Sequence, residues 1–259
     1  MYKSKEVLMQ DLKQLISEYK PRIERNTGDE RWYRIVSKTK WLPSVTTMIG
    51  SVLHKGEGFE KWLGDNPSYD IACEKRDKAA VLGTLVHDQC EKLLHGETIV
   101  EMQDKSVIKR LMSFTEWHKE YKPDVAVTEL KLVHPDVPYS GTPDIVCYIN
   151  GKLHMVDIKT GNPYETHQLQ LSCYKTLWDN IFPDYPIEKM YGLYLKDSWI
   201  SKVAPNFKEY KYTPKEVDCV YKLWKWKKGG NPKPKSGYPL KTHFKLKVNK
   251  DVKNLEEEM

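Results

Sequence analysis

Long apolar stretches are missing from this chain of 259 residues. No run approaches the length of about 18 apolar residues that a membrane-spanning helix needs. Near the start of the chain, the acidic residues Glu6 and Asp11 fit neither a secretory signal nor a transit peptide. The sequence therefore predicts a soluble, cytoplasmic or otherwise intracellular protein that has no membrane partner.

Cysteine is scarce in this chain, and it is dispersed. Zinc and iron–sulfur sites use closely spaced cysteine pairs, and the sequence has no such pair. We therefore expect reduced, partly buried thiols and no iron–sulfur cluster. The five cysteines are Cys73, Cys90, Cys147, Cys173 and Cys219.

Acidic residues are absent from a long C-terminal stretch. Between residues 220 and 250 there is no Asp or Glu, while lysines alternate with aromatic residues. Lysines can neutralise phosphates and aromatic rings can stack on bases, and the net charge of +6 points the same way. A solvated lysine-rich helix with core tryptophans and a flexible tail explains the pattern equally well. The residues concerned are Trp224, Lys225, Trp226, Lys227, Tyr238 and Phe244.

The most informative segment is a predicted β-hairpin. Asn150-Gly151 stands between two apolar, β-rich runs, which is the strongest short-range signal for a two-residue type I′ turn. Counting outward from this turn places Asp144 directly opposite Asp157. Opposed like charges about 5 Å apart destabilise a sheet, so we expect a cation to neutralise them. Lys159 follows on the same face, and an oxygen-liganded divalent cation would complete the neutralisation.

The flanks of this hairpin distinguish it from an ordinary solvated strand. Val146, Tyr148, Leu153 and Met155 are predicted to share a face with the two aspartates, whereas Ile158 points to the opposite face. The carboxylates therefore end an apolar stripe, where an unneutralised acid pair would be costly.

Two predicted helices carry further polar side chains. In the helix predicted at residues 69–94, His87 and Glu91 lie one turn apart on one face. Gly83 in the same helix either lets another backbone approach closely or marks a break between two helices. The helix predicted at residues 167–181 presents a second set on one face, namely His167, Gln170 and Tyr174.

Four short segments, in a fixed order along the chain, form one known pattern. They are Gly83-Thr84-Leu85-Val86-His87 with Glu91, Pro143-Asp144, Asp157-Ile158-Lys159-Thr160-Gly161, and Gln170-Leu171-Ser172-Cys173-Tyr174. Together they resemble the PD-(D/E)XK nuclease superfamily, in the RecB-like and lambda-exonuclease-like branch that includes phage and mitochondrial genome maintenance exonucleases. Pro43-Ser44-Val45-Thr46 is similar to a further element of that branch.

The resemblance implies a metal-dependent phosphodiester hydrolase with Mg²⁺ or Mn²⁺ as its cofactor. It assigns metal binding to His87, Asp144, Asp157 and the carbonyl of Ile158. It assigns catalytic roles to Asp144, Asp157, Lys159, Gln170 and Tyr174. Candidate DNA contacts are Ser44, Thr84, Glu129, His167, Lys225 and Lys227. Local alternatives stay open, since Ser44 also suits a helix N-cap and Glu129 an exposed edge charge.

The resemblance also implies the fold, an α/β (α+β) restriction-endonuclease-like core with a central mixed β-sheet flanked by helices. The predicted order agrees, with a helix at 104–121, a strand at 125–133, the hairpin, a helix at 167–181 and a strand at 190–196. We predict three parts of the chain. They are an N-terminal helix and hairpin or arch segment (1–64, with a helix at 5–19 and strands at 31–36 and 39–41), a nuclease core (65–200) and a lysine- and aromatic-rich segment (201–259).

Three functions follow from these patterns. The first is a DNA exonuclease acting on single-stranded or duplex ends in replication, recombination or repair, with a recombination or replication protein as candidate partner. The second is a structure-specific DNA endonuclease with the same centre. The third is a non-catalytic nucleic-acid-binding module, which the complete set of Asp144, Asp157 and Lys159 argues against. Phage, bacterial and mitochondrial settings all stay open.

Overall fold

A computed structural model describes residues 5–21, 23–26, 30–35, 40–53, 56–99, 104–199, 205–230 and 233–234. Most of the predicted basic tail, including Tyr238 and Phe244, lies outside these described residues, as does Thr39 of the predicted return strand. Among the described residues, no helix combines the length and the apolar character of a membrane span.

The described residues form seven helices and ten strands. The helices are α1 (Lys5–Glu18), α2 (Val45–Val52), α3 (Glu57–Gly64), α4 (Tyr69–Leu94), α5 (Lys105–Tyr121), α6 (Glu165–Ile181) and α7 (Pro214–Lys227). The strands are β1 (Ile23–Asn26), β2 (Trp32–Ile35), β3 (Leu42–Pro43), β4 (Asp124–Thr128), β5 (Leu132–Val133), β6 (Ser140–Gly141), β7 (Ile145–Ile149), β8 (Lys152–Lys159), β9 (Lys189–Tyr194) and β10 (Asn206–Tyr210).

A five-stranded sheet with the order β10-β9-β8-β7-β4 forms the centre of the fold. Strands β8 and β9 are parallel, and the other neighbouring pairs are antiparallel. Helix α6 connects the parallel pair, as a crossover between parallel strands requires. The predicted central mixed sheet flanked by helices is confirmed, in the helix–strand–strand–strand–helix–strand order that the resemblance implies.

The hairpin of β7 and β8 forms with the predicted turn and register. Asn150 (φ 51°) and Gly151 (φ 78°) both adopt the left-handed conformation that a type I′ turn requires. Pairing runs from Ile149 opposite Lys152 to Ile145 opposite Val156. One further step along this register brings Asp144 opposite Asp157, as the sequence predicts.

The two faces of the central sheet pack against different helices. One face contributes Val146, Tyr148, Leu153 and Met155 to a core shared with α1, α2, α6 and α7. The other face, which includes Ile158, packs against α4 and α5. The predicted division of the hairpin into two faces is therefore confirmed, and the sheet forms the middle of three layers.

Helix α4 runs unbroken over the predicted range. The Ser68 hydroxyl accepts a hydrogen bond from the Ile71 amide at 3.2 Å and caps its start, and Gly96 (φ 79°) follows its end. A Cβ added at Gly83 would lie 3.4 Å from Thr160 Oγ1. The described residues bring a side chain of the loop after β8, and no backbone, within 4 Å of this position. The alternative of a break between two helices is wrong, since α4 is continuous.

The structure corrects two predicted strands. The strand expected at 125–133 is interrupted at Glu129 (φ 49°), whose amide donates to the Asp144 carbonyl at 3.0 Å, and its last residues form β5 in a separate two-stranded sheet. Strand β2 pairs on one side with β1 and on the other with Leu42–Pro43, beyond the predicted 39–41. The sequence does not predict strand β10, because its residues are mostly polar and lie exposed at the edge of the sheet.

The ring of His154 on β8 generates the first prediction. This side chain is 5% exposed, and neither ring nitrogen has a hydrogen-bond partner among the described residues. Burial, followed by the charge of Lys189, lowers the pKa of His154 below 6.5. Below pH 6.5 the unfolded chain binds a proton that the folded chain disfavours, so the folded state loses stability as the pH falls.

We expect His154→Leu to raise the free energy of unfolding by about 1–2 kcal/mol and to flatten its dependence on pH below neutrality. Urea unfolding at several pH values measures both effects. His118→Leu, at an exposed histidine of α5, is the control for replacing a histidine with leucine. A less stable His154→Leu protein, or an unaltered pH dependence, would contradict this account.

Candidate active site

Polar side chains from α4, the hairpin and α6 meet at one end of the central sheet. Asp144 immediately precedes β7, and Asp157 and Lys159 lie within the last three residues of β8. Helix α4 brings His87 from one layer, while α6 brings Gln170 from the other. The site therefore lies where the three layers of the fold come together.

Asp144 is held in place by the main chain of the neighbouring strand. Its Oδ2 accepts a hydrogen bond from the Ile158 amide at 2.6 Å and lies 3.5 Å from His87 Nδ1. Burial raises the pKa of this carboxyl, but the charges of His87 and Lys159 and the Ile158 amide outweigh burial and lower it. Asp144 is thus an ionised carboxylate of fixed orientation.

Asp157 is 2% exposed and forms an ion pair with Lys159 through its Oδ2. Among the described residues, no group other than Lys159 is available to donate to this oxygen. Burial raises the pKa of Asp157 to about 6, against the opposing charge of Lys159. Burial lowers the pKa of Lys159, but Asp157 and Asp144 reverse this effect and raise it. Lys159 therefore remains a cation, in a partly buried position.

Gln170 connects the acid–lysine pair to Tyr174. Its Oε1 accepts from Lys159 Nζ at 3.3 Å, and its Nε2 donates to Asp157 Oδ1 at 3.4 Å and to the Tyr174 hydroxyl at 3.0 Å. These contacts bring together four of the residues that the sequence proposed as catalytic. Both ends of the amide are used, so its orientation is set by the network.

The ring of Tyr174 lies directly over Gly141, which sequence reasoning did not single out. A Cβ added at Gly141 would come within 2.3 Å of Tyr174 Cε1 and 2.6 Å of its Cδ1. Only a glycine leaves room for the ring at this position. In the sequence, a glycine before Thr-Pro-Asp suggests a turn. No local pattern therefore predicts the contact between Gly141 and Tyr174.

A second group of side chains lies on the α4 side of the acid pair. Ligand atoms of His87, Glu129 and Asp144 all lie within 4.8 Å of one another. Burial lowers the pKa of His87, but the Asp144 carboxylate more than compensates and raises it to about 9. Burial and the Asp144 charge together raise the pKa of Glu129 to about 7. Both shifts arise because acidic groups lie close together here, so that protonation of His87 and Glu129 relieves repulsion around Asp144.

The donor atoms of this group fit a divalent metal ion. Two carboxylates and one imidazole suit Mg²⁺ or Mn²⁺, and the imidazole shifts the preference towards Mn²⁺. Asp157 Oδ2, which has Lys159 as its charge partner, offers a further oxygen beside Asp144. The sequence named Glu129 only as a DNA contact. The signal for its place in this group was an acidic residue that interrupts an apolar strand.

Three of the candidate DNA contacts have local roles in the structure. The Ser44 hydroxyl is buried and caps α2 by accepting from the Thr47 amide at 3.0 Å, as the alternative interpretation expected. The exposed Thr84 hydroxyl donates to the Ala80 carbonyl within α4 at 3.2 Å. Lys227 Nζ donates to the Ser51 carbonyl at 2.6 Å.

Helix α7 contains the described part of the basic segment. Trp224 is buried in the core, as the alternative of a structural helix expected, whereas Trp226 is 77% exposed. Lys225 is exposed beside it. The structural interpretation is confirmed for the buried face of this helix, and a nucleic-acid contact at its exposed face stays a prediction.

No protein-family model matches the chain, and no curated protein matches it. Among solved structures, the chain is similar to an alkaline exonuclease (LHK-Exo) from Laribacter hongkongensis, with a TM-score of 0.39 and 10% identity over 71% of this chain and 84% of that one. The same exonuclease in complex with dAMP gives a TM-score of 0.33 and 13% identity over 56% and 82%. The protein SSO0001 gives 0.35 and 15% identity over 84% and 83%. These likenesses are distant, so function is argued from the site itself.

The contact between Gly141 and Tyr174 generates the second prediction. Gly141→Ala should lower the free energy of unfolding by about 1–3 kcal/mol, because the buried ring must move to admit the methyl group. Gly50→Ala is the matched control, since a Cβ there meets nothing within 4 Å. Denaturant unfolding measures both variants.

A double-mutant cycle tests the cause of this loss. In a Tyr174→Ala background, Gly141→Ala should cost little, because the ring that the methyl group strikes is absent. An equal cost in both backgrounds would show that the backbone at Gly141, and not the ring of Tyr174, requires glycine.

Proposed function

We propose that this chain is a metal-dependent nuclease that hydrolyses phosphodiester bonds in DNA and acts from DNA ends as an exonuclease. The observation that carries the proposal is the convergence of a buried acid pair, Asp144 and Asp157, with the partly buried Lys159. A purely DNA-binding surface gains nothing from buried carboxylates, because desolvating them is costly. A role in replication, recombination or repair, with a recombination or replication protein as partner, belongs to the same proposal.

The proposed metal ligands are His87, Glu129 and Asp144, joined by Asp157 and the carbonyl of Ile158. Asp157 can join them when its ion pair with Lys159 opens, because one of its oxygens has no other donor. A divalent cation at this position supplies Lewis acidity, which promotes deprotonation of an attacking water and neutralises charge on the phosphate.

The remaining residues of the site orient the reactants. Lys159, once released from Asp157, provides a partly buried ammonium group for a phosphate oxygen or for the attacking water. Gln170 holds that ammonium group, and Tyr174 in turn holds Gln170. Tyr174 is 4% exposed, so its proposed effect on the DNA passes through Gln170 and not through a direct contact. Once the Asp157–Lys159 ion pair has opened, these groups are held in place before the reaction begins, so their position matters more than their number.

Degradation of end-labelled linear DNA, compared with a closed circle in Mg²⁺ or Mn²⁺, tests this proposal. We expect loss of linear DNA only. Asp157→Asn and Lys159→Met should each reduce the rate by about 10²-fold or more, because each removes a charge at the reacting phosphate. Omission of the metal should have at least as large an effect.

Matched controls separate chemistry from a general charge effect. Asp184→Asn and Lys152→Met remove the same charges from exposed positions outside the site and should leave the rate unchanged. Cleavage of the closed circle would show that the protein is an endonuclease and not an exonuclease. Tight DNA binding without cleavage of any substrate would show that the protein is a non-catalytic nucleic-acid-binding module.

A further inference from the structure

A chain of three side chains runs beside the acid–lysine pair. The Tyr210 and Tyr194 hydroxyls are 2.6 Å apart, and the Tyr194 hydroxyl is 2.7 Å from His167 Nδ1. The Tyr164 amide donates to the same ring nitrogen at 3.3 Å. Tyr194 pairs with Lys159 in the register of β8 and β9. This chain therefore reaches the site from the edge of the sheet.

The direction of every hydrogen bond in this chain can be assigned. An amide can only donate, so Nδ1 of His167 accepts and carries no proton. The Tyr194 hydroxyl must then donate to Nδ1, and it accepts in turn from Tyr210. A neutral His167 with an unprotonated Nδ1 carries its proton on Nε2.

The surroundings of His167 keep its ring neutral. Burial, followed by the charges of Lys159 and Lys208, lowers the pKa of His167 to about 4. Among the described residues, no hydrogen bond involves Nε2, although the other ring nitrogen has two partners. The structure thus positions an uncharged N–H donor, one helical turn before Gln170 on the same face of α6.

We propose that His167 Nε2–H donates a hydrogen bond to a phosphate oxygen of the bound DNA strand, beside the phosphate held at Lys159. This role rests on the proposed nuclease function and makes His167 a substrate-binding residue. A neutral donor adds a contact to the polyanion without placing a second cation against the Lys159 ammonium group. The tyrosine chain fixes the tautomer that this contact requires.

Two amide substitutions separate this role from an internal one. The side-chain amide of Gln reaches the position of Nε2, and that of Asn reaches the position of Nδ1. We expect His167→Ala and His167→Asn to raise KM for linear DNA by about tenfold with little change in kcat, because a hydrogen bond to a charged group is lost. His167→Gln should stay close to the unaltered protein in KM, even where it melts at a lower temperature.

The opposite pattern, with Asn retaining function and Gln resembling Ala, would show that His167 serves only Tyr164 and Tyr194. Unchanged KM in all three variants would also overturn the inference. If the unaltered protein cleaves no DNA, the nuclease proposal fails separately. Fluorescence anisotropy with labelled single-stranded DNA in Ca²⁺ then decides, since weaker binding by Ala and Asn but not by Gln supports the contact, and equal binding refutes it.

Discussion

Two carboxylates placed opposite each other on paired strands constrain most of this structure. Asp144 and Asp157 repel each other, and both are buried, so the fold must provide cations and donors around them. The Ile158 amide and His87 contact Asp144, and Lys159 and Gln170 contact Asp157. The arrangement of α4 on one face and α6 on the other follows from this need for partners on both sides.

The same packing that buries the apolar stripe of the hairpin also orients the polar groups. Tyr174 belongs to the core shared with α1, α2 and α7, yet its hydroxyl ends the network that begins at Lys159. Gly141 and Gly192 leave space for the rings of Tyr174 and Tyr194. The rings of Tyr174 and Tyr194 are packed in the core, so their hydroxyls hold Gln170 and His167 in fixed positions.

The hairpin, the long helix α4 and the polar face of α6 could be predicted because each depends on local rules. Asn-Gly selects a turn, strand alternation selects a face, and helical periodicity aligns Gln170 with Tyr174. The grouping of Glu129 with His87 could not be derived in this way. It depends on a left-handed residue that ends β4, and on an amide contact with Asp144, which come from tertiary structure. The space at Gly141 likewise depends on a ring 33 positions away in the sequence.

The two-residue turn at Asn150-Gly151 makes the length of this loop inseparable from the chemistry of the site. Side chains in a strand alternate between faces, so one residue inserted at the turn and absorbed as a shift in register would direct Asp157 into the α4–α5 core and Ile158 into the site. Insertions and deletions at this surface loop are therefore under the same selective constraint as substitutions of the carboxylates. Natural variation in loop length should accumulate elsewhere, even though the turn itself is exposed and contacts none of the site residues.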